Sequence, residues 1–286
     1  MRPCAMRLTR TEWHGHCVAG HHGTMTRRGP AHQVKPFPAV RRLVADVGWM
    51  SRRKNSVRGL LEIDVTVPRQ FMRAHKESTG ESLSFTSYLA YCTGHAVAAN
   101  KYLHAYRDWR GRLILFDDVD ITTMIEVRQD GKEYPVGHII RAANTKTFRQ
   151  IHDEIRTVQA RAAVSDDVKR LNVLLTLPGF VRRSFFLLMS RQPRMVKKVQ
   201  GTVVLSAVGM FGSGGGWGLA LPSHTLGITV GGITEKPGVH RGEIAIREYL
   251  NVTLDFDHDI VDGAPASRFA QRFRDLVEGG SGLQSV

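Results

Sequence analysis

The sequence predicts one α/β domain, and three features carry that prediction. Segments with a two-residue apolar alternation interleave with segments of helical period through about 250 residues. No internal repeat and no linker-like run separates them. The length of 286 residues, with 42% hydrophobic and 23% charged residues, suits a soluble globular chain with a sizeable core. The chain divides into a flexible, basic, His-rich leader over 1–34 and a single domain over 35–286, which carries a basic, apolar insertion at about 168–200.

In the leader, HGHCVAGHHGTMTRRGPAHQ offers histidine and glycine without an apolar period. His14, His16, Cys17, His21 and His22 could donate to a metal, but their spacing matches no structural zinc pattern, so none is expected. Met25 is a second candidate start, which leaves open whether 1–24 are translated. No continuous apolar run follows the N-terminal arginines, so no secretory signal is expected. Cys4, Cys17 and Cys92 form no disulfide framework, which favours a reducing compartment, the cytoplasm.

From Pro36 the pattern becomes regular. In VRRLVADVGW, Val40, Leu43, Val44 and Val47 recur at helical spacing. SVRGLLEIDVTV reads as a strand whose β-branched residues gather toward its end. SFTSYLAYCTGHAVAANKYL reads as an amphipathic helix with Phe85, Leu89, Cys92, Ala96 and Ala99 on one face. His95, beside that stripe, is expected to pack or face solvent rather than bind a ligand. RLILFDDVDITTMIEV holds two short strands around an acidic turn, and DGKEYPVGHIIRAAN opens on an Asp-Gly turn and continues as a strand. Thr147 and Gln150 form a capping-box pattern ahead of Phe148, Ile151, Ile155 and Val158, which predicts a helix.

LNVLLTLPGFVRRSFFLLM is the most apolar run. Pro178-Gly179 breaks it and Arg182-Arg183 interrupts it, which predicts two short helices rather than a span of ~20 residues. These would pack on the body or lie against a membrane or partner surface. GTVVLSAVGM and HTLGITVGGI carry strand-like runs with glycine breaks. NVTLDFDH alternates, with Val252, Leu254 and Phe256 on one face and Asn251, Thr253, Asp255 and Asp257 on the other. APASRFAQRFRDLV closes the domain as a helix that buries Phe269, Phe273 and Leu276.

The net charge of +14 is concentrated in two places. Residues 1–60 hold twelve Lys or Arg against Glu12 and Asp46, and residues 168–200 hold eight and no acid. The rest of the chain is net acidic. Local basic segments suit an anionic partner: a phosphorylated cofactor, an acidic protein or a lipid surface; a solvated arm and helix face is the alternative. Nucleic acid is disfavoured, because no helix-turn-helix, RNP-type or zinc-finger pattern accompanies the charge.

FDHDIVDG, residues 256–263, places His258 at the end of a strand, with Asp262 and Gly263 turning the chain four and five residues later. An imidazole on such an edge can serve as a general base if its orientation is fixed. Asp262 could fix the local geometry and Gly263 could let the backbone turn closely. For an isolated His-x-x-x-Asp-Gly pattern, a structural corner is the commoner role.

Several segments together resemble a family. FDHDIVDGAPASRFAQRF resembles the DHRxxDGAxxxxF signature of the acyltransferase component of 2-oxoacid dehydrogenase complexes, whose HxxxDG core is shared with chloramphenicol acetyltransferases. GTVVLSAVGMFG is similar to the family's strand-Ser-x-x-Gly-Met-Phe-Gly segment, and LPSHTLGITVGGI to the strand after it. DGKEYPVGHIIRAANTKTFRQIHDEI and FPAVRRLVA resemble two earlier family segments. The resemblance runs in order from about residue 36 to 280.

The resemblance implies a chloramphenicol-acetyltransferase-like two-layer sandwich, a mixed β-sheet packed with helices. It implies His258 as base for a thiol that attacks an acyl thioester, and Ser206 as oxyanion donor. Asp262 with Arg41 would be a structural ion pair. It further implies a homotrimer or a multiple of trimers, with the histidine of one copy facing the serine of the next. Coenzyme A or acyl-CoA would be a substrate, and the acceptor a lipoyl group on a separate carrier or dehydrogenase component; no lipoyl attachment site is visible in this chain.

Departures accompany the match. Asp259 stands where the family has arginine, a negative charge expected to raise the imidazole pKa or disfavour an anionic substrate. The 168–200 segment is longer and more basic than its counterpart, and GSGGGWG is richer in glycine. Coenzyme A-dependent transfer to a hydroxyl or amine is the alternative chemistry, and a non-catalytic trimeric scaffold docking partners or a membrane is the alternative class.

Overall fold

The centre of the molecule is a six-stranded sheet that draws half its strands from the last third of the chain. The computed structural model describes residues 32–129, 132–160, 177–208 and 214–285. Its strands are β1 (Ser56–Asp64), β2 (Tyr106–Arg107), β3 (Leu113–Ile114), β4 (Ile121–Gln129), β5 (Lys132–Ile140), β6 (Val203–Ala207), β7 (Leu226–His240) and β8 (Glu243–Asp257). The main sheet runs β1-β8-β7-β6-β4-β5, and β2 and β3 pair separately. β6 is parallel to β4 and to β7, and the other pairings are antiparallel, so the sheet is mixed. The helices are α1 (Ala39–Ser51), α2 (Thr66–Thr79), α3 (Phe85–Ala98), α4 (Phe148–Ala160), α5 (Gly179–Ser190), α6 (Pro193–Gln200) and α7 (Gly263–Glu278). Residues 38–286 form one compact α/β unit.

Helices α3, α4 and α7 cover one face of the sheet, giving two layers around one core. Ile63, Ile121, Leu205, Ile228 and Leu254 meet Tyr88, Leu89, Phe148, Phe269 and Phe273 there. Phe256 meets Phe269 edge-on, and Phe269 stacks on Phe273, so the end of β8 is fastened to α7 by rings. The Thr147–Gln150 box forms: Gln150 N–H donates to the Thr147 hydroxyl at 3.2 Å, and Thr147 N–H donates to the Gln150 side chain at 2.9 Å.

Three elements depart from the sequence expectation. The first strand stops at Asp64, because the Asp64 carboxylate accepts the Thr66 N–H at 2.9 Å and the Thr66 hydroxyl at 2.6 Å and so starts α2. Pro68 falls in the first helical turn, where a missing N–H costs nothing. Helix α3 is buried nearly all round rather than on one stripe, lying between the sheet, α4 and α7. The strand ending at His258 is much longer than its alternating part, because Arg241 (φ 53°) and Gly242 (φ 85°) make a two-residue turn joining β7 to β8. The Asp130-Gly131 turn, the leader with its histidines, Cys17 and Met25, and residues 161–176 lie outside the described residues.

Of the apolar run, 171–176 lie outside the described residues, and the part after Pro178 forms the single helix α5. Arg182 and Arg183 of α5 hold the buried Asp46 of α1 at 2.7 and 3.1 Å. Trp49 lies beneath Arg53 at 3.6 Å and near Arg183 at 5.5 Å. The arginine doublet is therefore an internal tie; removing one partner of such a buried pair typically costs about 3–5 kcal/mol. Among the described residues no helix is long and apolar enough to cross a membrane.

Candidate functional site

Asp257 builds the corner that carries His258. Its main-chain carbonyl accepts the N–H groups of Ile260 and Val261, both at 3.0 Å, which turns the chain. Its buried carboxylate accepts Lys54 Nζ at 2.6 Å and the Asp259 N–H at 3.3 Å. The Asp257 N–H donates to the Thr225 carbonyl at 2.9 Å, and the His258 N–H to the Asn55 carbonyl at 2.7 Å. The N–H groups of Asp257, His258 and Asp259 are thus all engaged while the histidine itself is exposed. An exposed ring on a pinned strand end can exchange a proton with an incoming group.

Two buried histidines and the buried cysteine do not compete for this role. His224 is buried, its Nδ1 beside the Ser223 hydroxyl at 2.7 Å and its Nε2 at 2.7 Å from the Gln200 carbonyl. Burial pushes it down to about 4, and burial does the same to His104, also to about 4. Both rings are neutral at pH 7 and enclosed. Cys92 is buried and pushed up to about 12 by that burial, so it is not a nucleophile.

Ser206 is half-buried in β6, on the sheet face away from the helices. It is level with Thr229 of β7, which is level with Thr253 of β8. His258 lies five residues beyond Thr253 and two strands across. At ~3.3 Å per residue and ~4.8 Å per strand, the two are about 19 Å apart. One chain does not bring them to a common carbonyl. The Gly209–Gly212 part of the serine segment lies outside the described residues.

Among the described residues of one chain, Arg41 and Asp262 form no ion pair. Arg41 is exposed on α1, about 140° around the helix from the tied Asp46, so the Asp46 clamp turns it outward. Asp262 is exposed at the start of α7, and its side chain caps nothing; its main-chain carbonyl accepts the Ala266 N–H at 3.1 Å. Gly263 is not demanded by the turn either, since it lacks a left-handed φ and a Cβ there would meet open space.

Glycine is demanded elsewhere. Residues 214–222 cross the serine-bearing face so closely that a Cβ on Gly231 would collide with the Gly216 carbonyl, and one on Gly232 with that of Gly214. Gly232 N–H donates to Gly216 O at 3.1 Å, and Trp217 Nε1 donates to the Leu61 carbonyl at 3.2 Å. The glycine-rich stretch therefore roofs a polar sheet face.

Residues 192–283 match the family model described as 2-oxoacid dehydrogenases acyltransferase (catalytic domain). The match contains Ser206, the glycine-rich roof and the whole His258 corner. Over 254 residues, 85% of this chain, the sequence is 23% identical to the lipoamide acyltransferase component of the branched-chain alpha-keto acid dehydrogenase complex of Bacillus subtilis. The chain spans about half, 51%, of that relative. It is 32% identical over 167 residues to the dihydrolipoyllysine-residue acetyltransferase component of the Zymomonas mobilis pyruvate dehydrogenase complex, covering 58% of this chain and 31% of the relative. The fold is similar to a probable dihydrolipoamide acetyltransferase from Listeria monocytogenes (TM-score 0.64, 22% identity, 88% of this chain and 96% of that one). It is also similar to Azotobacter vinelandii dihydrolipoamide acetyltransferase (TM-score 0.65, 18% identity, 91% and 97%).

Lys54, Asn55, Arg107 and Asp257 are the residues around His258 that sequence reading passed over as site residues. Lys54 and Asn55 precede His258 by about two hundred positions, and no local pattern connects them to it.

Proposed function

We propose that this chain is an acyltransferase that moves an acyl group between coenzyme A and a thiol such as a dihydrolipoyl group on a separate protein. His258 takes the proton from the attacking thiol, and the thiolate adds to the thioester carbonyl. The tetrahedral oxyanion is stabilised by the Ser206 hydroxyl. Collapse expels the second thiolate, which recovers the proton from the imidazolium. A thiol of pKa ~8.5 needs little help at neutral pH, so an exposed imidazole suffices.

The observation that carries this reading is the exposed His258 on a corner whose N–H groups at 257, 258 and 259 are all engaged, within the stretch that matches the acyltransferase catalytic domain. The ~19 Å between His258 and Ser206 favours a site completed by a second copy, in a homotrimer or a multiple of trimers. The study of the Azotobacter vinelandii enzyme concerned a serine, a histidine and an asparagine in its catalytic mechanism, the asparagine four residues after the histidine, the spacing of Asp262 from His258.

The test is an acyl-transfer assay over a panel of acyl-CoA donors with free dihydrolipoamide. Turnover with one or more donors is expected, and His258→Ala should lower it by about 10²–10⁴ while leaving assembly intact. No turnover with any donor would overturn the thiol-transfer reading, leaving hydroxyl or amine acceptors or a non-catalytic scaffold.

A further inference from the structure

Residues Lys54 and Asn55 reach the two aspartates that flank His258. Lys54 Nζ bonds Asp257 at 2.6 Å and the His224 carbonyl at 3.3 Å. Asn55 uses both its ends: its main-chain carbonyl accepts the His258 N–H at 2.7 Å, and its side-chain amide donates to Asp259 Oδ1 at 2.8 Å. Arg107 Nη2 of β2 lies 3.7 Å from the other Asp259 oxygen. Asp259 therefore turns its charge toward Asn55 and Arg107.

We propose that Asn55 and Asp259 are positioning residues for His258, with Lys54 and Asp257 bracing the other side of the same residue. Asp259 in place of arginine is then half of a local clamp: the hydrogen bond to Asn55 needs an acceptor at position 259, which a guanidinium cannot supply. The clamp fixes the main chain from which the imidazole projects, so its loss displaces the ring without removing it. Ångström-scale misplacement of a catalytic group lowers turnover by up to ~10². The catalytic half of this inference rests on the acyl-transfer reading; the clamp itself does not.

Two measurements on the full-length protein separate these. Amide hydrogen exchange needs no turnover: Asn55→Ala and Asp259→Ala should each speed exchange across 256–261 by about tenfold, while residues 226–233 keep their protection. Unchanged protection at 256–261 in both variants overturns the clamp. In transfer to dihydrolipoamide from the donor active in the panel, each variant should lower kcat about tenfold with KM within about twofold, and the double variant should be no worse than either single one. The exchange of side chains, Asn55→Asp with Asp259→Asn, preserves one hydrogen bond and should recover most of kcat. Additive losses, a rise in KM alone, or no recovery overturns the positioning role. Absence of turnover with every donor overturns the catalytic half, while hydrogen exchange still decides the clamp.

Discussion

At one end of β8, Ile244 and Ile246 are 80% and 66% exposed, and Val239 across the hairpin is 76% exposed. At the other end, Asn251, Thr253, Asp255 and Asp257 are all buried. The neighbours explain the inversion. β1 pairs with β8 only from Tyr249 to Asp257, and β6 pairs with β7 only as far as Val230, so the hairpin tip is a two-stranded ribbon outside the sheet. Toward His258, β1 and the glycine-rich roof enclose the polar face, and each carboxylate has a cation: Arg58 for Asp255 at 3.1 Å and Lys54 for Asp257 at 2.6 Å. Burial here follows which strands lie alongside, and the polar groups tolerate it because each charge has a partner.

Breaking a partner at the buried end should have the largest effect. Asp257→Ala removes the acceptor of Lys54 and of the Asp259 N–H, and should cost about 3 kcal/mol in chemical denaturation. A loss under ~1 kcal/mol would mean that the carboxylate does not hold the corner. Next is Glu248, where the ribbon enters the sheet. Burial would raise its carboxyl, but hydrogen bonds from Arg73 and Arg69 outweigh that and hold it below its ordinary value. A lowered folded-state pKa contributes stability that is fully present above the ordinary range near ~4.3 and lost as pH falls through the folded value. Denaturation profiles from about pH 6 to about pH 3 should therefore fall more steeply for the native chain than for Glu248→Gln, and equal slopes would contradict the ion-pair account. The smallest effect is expected at the tip: Ile246→Thr should change stability by no more than about 0.5 kcal/mol. A larger loss would show that another copy covers the ribbon.

Local patterns were legible where the partner is near in sequence. The Thr147–Gln150 box is a three-residue interaction, and the His258 corner follows from a strand alternation meeting a turn. What covers an alternating strand is not local. Asn251, Thr253, Asp255 and Asp257 share a face, as their spacing predicts, but the roof at 214–222 and the start of β1 bury it. Val65, Thr66 and Val67 prolong a β-branched run, so the strand's end at Asp64 depends on a carboxylate that turns the chain by accepting the Thr66 N–H and hydroxyl. Arg182-Arg183 reads as a break in an apolar run until Asp46, far away in sequence, appears beneath it. The pairing of Arg41 with Asp262, implied by resemblance, is not made among the described residues of one chain, because the Asp46 clamp sets how α1 is turned.

The central claim is that the base and the oxyanion donor act together only across two copies of the chain. The direct measurement unfolds and refolds a mixture of His258→Ala and Ser206→Ala chains and assays acyl transfer. Each variant alone should be strongly impaired, Ser206→Ala by about 10²–10³. Random reassembly in a symmetric ring should return about a quarter of the native activity, because sites pairing His258 from one parent with Ser206 from the other are intact. A mixture no more active than its two components, with assembly confirmed by sedimentation, would contradict the claim.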